Sequence, residues 1–153
     1  MLRDSSADLL RFFLRRLDRE DAADATAEVM TVAWTRVDTL PVTPDEARMW
    51  LFGIARNVLL HAQRTQVRRS NLAAKLRSTL SMRSAPPADT GIEIRDAIES
   101  LEADLAELVR LVHWDGFSIT DAANLLGIPP STARGRYQRA REALRETLAP
   151  VSR

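Results

Sequence analysis

Apolar residues recur along this chain at intervals of three and four, and strand-like alternation is nowhere sustained, which predicts helices. Leu10, Phe13, Leu14 and Leu17 mark a first helix over 6–17, broken by Asp18-Arg19-Glu20-Asp21. A second helix is expected over 22–37, with apolar stripes Ala25, Val29, Val32 and Met30, Ala33, Val37. Trp34 lies beside the second stripe, so it is expected in the core or between domains. Asp24, Glu28 and Thr31 fall on another face and are left polar. After the loop Leu40-Pro41-Val42, Thr43-Pro44-Asp45-Glu46 is a strong helix start: Thr43 caps, Pro44 suits the first helical position and Glu46 completes a capping box. This third helix is expected to run to about residue 69, burying Ala47, Leu51, Ile54 and Val58, with Trp50 and Leu59 beside them.

Residues 78–91, STLSMRSAPPADTG, lose the periodicity and read as a linker. Beyond it, Ile94, Ile98 and Leu101 suggest a short helix. Leu105, Leu108, Val109 and Val112 suggest another, closed by Asp115-Gly116. Two more helices are expected at 119–126 and 130–148. The expected architecture is all-α: two small helical domains, 1–77 and 92–153, joined by a flexible linker at 78–91.

Composition narrows the chemistry. The chain has 153 residues and a 45% hydrophobic content, enough for such cores. It has no cysteine, which excludes disulfides, thiolate zinc sites and a cysteine nucleophile. His61 and His113 lack carboxylate company, so no metal and no cofactor are expected. Neither a Ser-His-Asp set, a phosphate-binding glycine loop nor a paired-carboxylate cleft is recognisable. The charged N-terminus is unlike a signal peptide, and no apolar run suggests membrane insertion. The expected location is cytoplasmic.

The net charge of +1 conceals a strong pattern. Residues 1–47 carry ten acids against six arginines. Residues 48–88 carry eight bases and no acid. Residues 89–121 return to acid, and 134–145 hold Arg134, Arg136, Arg139, Arg141 and Arg145 against Glu142. Two basic blocks predict two separate contacts with a polyanion.

The second basic block coincides with a motif. ITDAANLLGIPPSTARGRYQRAREAL, 119–144, has helix-turn-helix spacing. Ala123 is small where two helices cross. Gly127 suits the positive φ of the turn, and Pro130 suits a new helix start. In the second helix Ala133, Tyr137, Ala140 and Leu144 form an inward stripe. Ser131, Gly135, Gln138 and Arg139 then point outward, flanked by Arg134 and Arg141 on one side and Arg136 on the other. Arginine pairs with guanine and glutamine with adenine, while further arginines grip phosphates.

DAADATAEVMTVAWTRVD (21–38), ARMWLFGIARNVLLHAQR (47–64), the linker and the helix-turn-helix, taken in this order, resemble an extracytoplasmic-function (ECF) sigma factor of the sigma-70 family over nearly the whole chain. The resemblance implies a non-catalytic protein that binds core RNA polymerase and directs it to promoter DNA, in some cases under an anti-sigma factor. It implies a region 2 domain whose polymerase-binding face includes Asp24, Glu28 and Thr31. Trp50, Arg56, Asn57, Arg64 and Arg68 would serve the −10 element, and loop 38–46 matches the segment that captures a flipped base. It also implies a region 4 domain in which Ser131, Thr132, Arg134, Arg136, Gln138, Arg139 and Arg141 serve the −35 element. The chain departs from the family's usual residues at Ala25, Ala27, Gly53 and Gly135, and its first helix lacks the family's usual leading segment. The alternative is a helix-turn-helix regulator that never engages polymerase. Such a protein would need neither the W-L-x-x-I-A-R-N helix nor the polar face of the second helix.

Overall fold

The computed structural model describes residues 2–77 and 90–148, which are helical apart from short turns and contain no strand. They fall into two compact units. The first holds α1 (Leu2–Leu14), α2 (Arg19–Thr35), a 3₁₀ turn (Val37–Thr39) and α3 (Pro44–Arg77). Asp18 starts α2 by accepting from the Asp21 backbone N–H at 2.8 Å. Thr43 does the same for α3 through the Glu46 N–H, at 3.3 Å.

α2 packs on both α1 and α3, and the shared core is aromatic at one end. The Phe12 ring meets Phe13 and Phe52 edge-to-face, at 5.1 and 5.4 Å between centroids. Ala47, Leu51, Phe52, Ile54, Ala55, Val58 and Leu59 are the buried stripe of α3, which contains the expected one. Each large side chain in it contributes roughly 1.5–3 kcal/mol by leaving water. Thr26, the one buried polar side chain among the described residues, is satisfied by donating to the Ala22 carbonyl at 2.8 Å.

Three expectations shift. α1 turns a different face inward: Leu9, Phe12 and Phe13 are buried, joined by Leu17 from the following turn, while Leu10 and Leu14 are exposed. The contact with Phe52 selects that face. Trp34 is 75% exposed and lies outside the core of this unit, because the inward face of α2 is Ala22, Ala25, Thr26 and Val29. α3 continues to Arg77, past the expected end near residue 69.

The second unit holds α4 (Thr90–Glu99), α5 (Ala103–Val109), a π-helical turn (Arg110–Trp114), α6 (Ile119–Leu126) and α7 (Pro130–Leu148). The expected linker 78–91 lies outside the described residues except for Thr90 and Gly91, which open α4. Ile98, Leu105, Ala106, Val109 and Ala140 form a core against which Leu101, Trp114 and Leu144 pack. The π turn is closed by the Asp115 N–H donating to the Arg110 carbonyl at 3.0 Å, and Gly116 reverses the chain at φ +79°. No helix of the described residues is long and apolar enough to cross a membrane.

Candidate nucleic-acid interfaces

The turn between α6 and α7 follows from its sequence. Ser118 caps α6 by accepting from the Asp121 N–H at 3.0 Å. Gly127 ends it with φ +71° and ψ +31°, in the left-handed region open to glycine. The Ile128 N–H then donates to the Ala123 carbonyl at 3.0 Å, and the Gly127 N–H donates to that of Asn124 at 3.3 Å. This is a Schellman closure, which satisfies two otherwise orphaned carbonyls. Ala122 and Ala123 are fully buried, so the helices approach closely, and Pro130 opens α7 as expected.

α7 buries Ala133 and Ala140 completely and half-buries Tyr137 and Leu144. It is pinned from outside its own helix. The Tyr137 hydroxyl shares a 2.6 Å hydrogen bond with His113 Nε2, and the two rings stack at 5.6 Å. That anchor was not legible in the sequence, because the partners lie 24 positions apart. On the opposite face Ser131, Gly135, Gln138 and Arg139 are exposed, as are Arg134 and Arg141 on one flank, and Thr132 is half-exposed. None of Arg134, Gln138, Arg139 and Arg141 is tied by hydrogen bond or ion pair to another described residue. Their donors are left open to solvent among the described residues. Arg136 differs. It stands on the other shoulder of the helix and, unlike Arg141, is half-buried. Its side chain is 28% exposed, and its Nη1 lies 3.7 Å from the Asp104 carboxylate of α5. The expected phosphate contact at Arg136 therefore competes with an internal ion pair.

In the first unit, helical geometry brings Trp50, Asn57, Arg64 and Arg68 within about 40° of one another on α3. Asn57, Arg64 and Arg68 are exposed and Trp50 is half-buried. Arg56 stands on another flank, roughly 120° from Trp50 on the same geometry. The Trp50 indole N–H donates to Thr39 Oγ1 at 3.2 Å, tying the start of α3 to the 3₁₀ turn. Beside it opens an apolar cavity of about 510 Å³, lined by Met30, Trp34, Val37, Leu40, Val42 and Trp50 among others. Its wall includes part of the loop 38–46 singled out above. Val42 is 98% exposed at this mouth.

Asp24 and Glu28 lie exposed one turn apart on α2. Thr31 shares their face, but its hydroxyl donates to the Ala27 carbonyl at 3.0 Å, which leaves that oxygen only as an acceptor for a partner. Arg69, part of the first basic block, is drawn to Asp21 and so is not a free phosphate donor. No cluster of His or carboxylate groups suited to a metal occurs among the described residues.

Two family models match the chain. The model for sigma-70 region 2 covers residues 2–69, and the model for sigma-70 region 4 covers residues 91–144. The ECF RNA polymerase sigma factor SigL of Mycobacterium tuberculosis is 30% identical over 150 residues, spanning 95% of this chain and 85% of SigL. SigC of the same species is 30% identical over 152 residues, spanning 97% and 82%. Among solved structures, the sigma factor RpoE of Bartonella quintana, in complex with the anti-sigma factor NepR, superposes with a TM-score of 0.69 at 27% identity. That match covers 99% of this chain and 96% of RpoE. The order of the two regions, the helix-turn-helix built on Gly127 and these relatives agree: the chain belongs to the ECF sigma factors of the sigma-70 family, which bind core RNA polymerase and direct transcription initiation at promoters.

Proposed function

We propose that the two units divide promoter recognition between them. Residues 1–77 bind core polymerase and serve the −10 element, and residues 92–153 read the −35 element. One observation carries this reading. Gln138 and Arg139 stand on the outward face of α7 with Arg134 and Arg141 on its flank, none of them tied to another described residue, on a helix set by the Gly127 turn and the His113 contact. Such a face has base-reading groups at its centre and phosphate-gripping groups at its shoulders. On α3, the row Trp50, Asn57, Arg64 and Arg68, with Arg56 at its flank, supplies the basic and aromatic groups that hold a single strand. Asp24, Glu28 and Thr31 supply the polymerase contact.

RpoE of Bartonella quintana is held by an anti-sigma factor, which supports a protein partner of the same kind for this chain. Its place of action is the cytoplasm, where polymerase and promoters are. The test is run-off transcription with core polymerase on a pool of genomic fragments. Initiation at a shared two-element motif only when the chain is added is the expected result. Fragments enriched by the chain without polymerase, and no new transcripts with it, would instead favour a regulator that bypasses polymerase.

A further inference from the structure

Gly135 has no structural reason to be glycine. It lies inside α7, and its φ is not positive, unlike those of Gly116 and Gly127. A Cβ built there would meet only Arg139 Nη1, at 4.0 Å, an ordinary contact. A glycine within a helix is nevertheless destabilising relative to alanine, because the unfolded chain loses more freedom on folding. The residue therefore costs stability at a position where the fold gains nothing from it. Its surroundings are informative. Gly135 is exposed, on the same face as Ser131, Gln138 and Arg139. Side chains on a helix lean toward its N-terminus, so Arg139 projects back over the turn that holds residue 135. Its guanidinium lies where a longer side chain at 135 would stand.

We infer that Gly135 is a specificity-determining position: the missing side chain gives the Arg139 guanidinium its berth, and so selects the base pair in the −35 element that Arg139 addresses. The bare backbone also removes a Cβ from the surface that faces the groove. This inference rests on the reading of α7 as the recognition helix.

The test uses the full chain with core polymerase on promoters randomised through the −35 element, with the −10 element constant. The variants are Gly135→Ala, Gly135→Leu, Arg139→Ala and, as a control, Gly53→Ala. Gly53 is a second helical glycine with nothing within 4 Å of a built Cβ, but it lies in the other unit. Both alanine replacements of glycine are expected to raise the melting temperature by a few degrees. Only the Gly135 variants are expected to change base preference. At the base pair where Arg139→Ala flattens preference, Gly135→Leu lowers it roughly tenfold and Gly135→Ala by a smaller factor. If Arg139→Ala flattens one position while Gly135→Leu leaves every preference intact, Gly135 plays no part in readout and the inference fails alone. If Arg139→Ala also leaves every preference intact, the recognition-helix reading falls with it.

Discussion

Arg69 Nη2 donates to both carboxylate oxygens of Asp21, at 3.0 and 3.1 Å, joining the first turn of α2 to the distal half of α3. Arg69 continues the line of the buried α3 stripe beyond the point where apolar neighbours run out. The Asp21 side chain is only 16% exposed and the Arg69 side chain 61%. A half-sheltered pair of this kind is worth about 0.5–1 kcal/mol. A double-mutant cycle with Asp21→Asn and Arg69→Gln should return a coupling of that size, shrinking in 1 M salt. Zero coupling at low salt would mean that the pair does not hold the two helices.

Reversing the charges of Asp24 and Glu28 to lysine should weaken capture of core polymerase by at least an order of magnitude. Both residues are exposed and outside the buried face of α2, so the melting temperature should barely move. Pull-down with core enzyme and a thermal melt on the same preparation check this. Wild-type binding by the double variant would remove these residues from the interface.

The two arginine classes on α7 should separate in a salt titration of holoenzyme on promoter DNA. Arg141→Ala is expected to weaken all −35 sequences alike and to lower the slope of log K against log salt by about one. Arg134→Ala and Gln138→Ala are each expected to cost roughly 1–3 kcal/mol on the preferred sequence and to relax preference at one base pair. Uniform losses from all three variants would make α7 a general polyanion grip.

Asp104 restrains Arg136, and its carboxylate is itself 72% exposed near the basic helix. Asp104→Asn should therefore free Arg136 and tighten DNA binding severalfold at low salt, with the gain fading as salt rises. If affinity falls instead, the pair positions α7, and Arg136 acts through the fold.

The features legible in the sequence were those decided locally. Thr43, Pro44, Gly127 and Pro130 act on their own backbone, so the starts of α3 and α7 and the helix-turn-helix follow from a few residues. The outward face of α7 was equally legible, because Ala133 and Ala140 fix its rotation. The face of α1 was not. Leu9, Leu10, Phe12, Phe13 and Leu14 crowd the helix with more apolar groups than one stripe holds, and Phe52, forty residues away in the chain, decides between them. Trp34 stays out of the core of its unit for a related reason: hydrophobicity says what a side chain gains from burial, and not which neighbour buries it. The pairs Asp21–Arg69, Asp104–Arg136 and His113–Tyr137 join separate helices, and charge counts along a chain carry no signal of them.

The corner between α6 and α7 is locked by two amide-to-carbonyl bonds and one left-handed glycine. No side chain on the outer face of α7 takes part in that lock. The angle at which the helix is presented is thus independent of the letters written along its exposed surface. With α7 as the proposed −35 reader, a lineage carrying this fold would exchange Arg134, Gln138 or Arg139 to acquire a new set of target genes, while inheriting the angle of the helix unchanged.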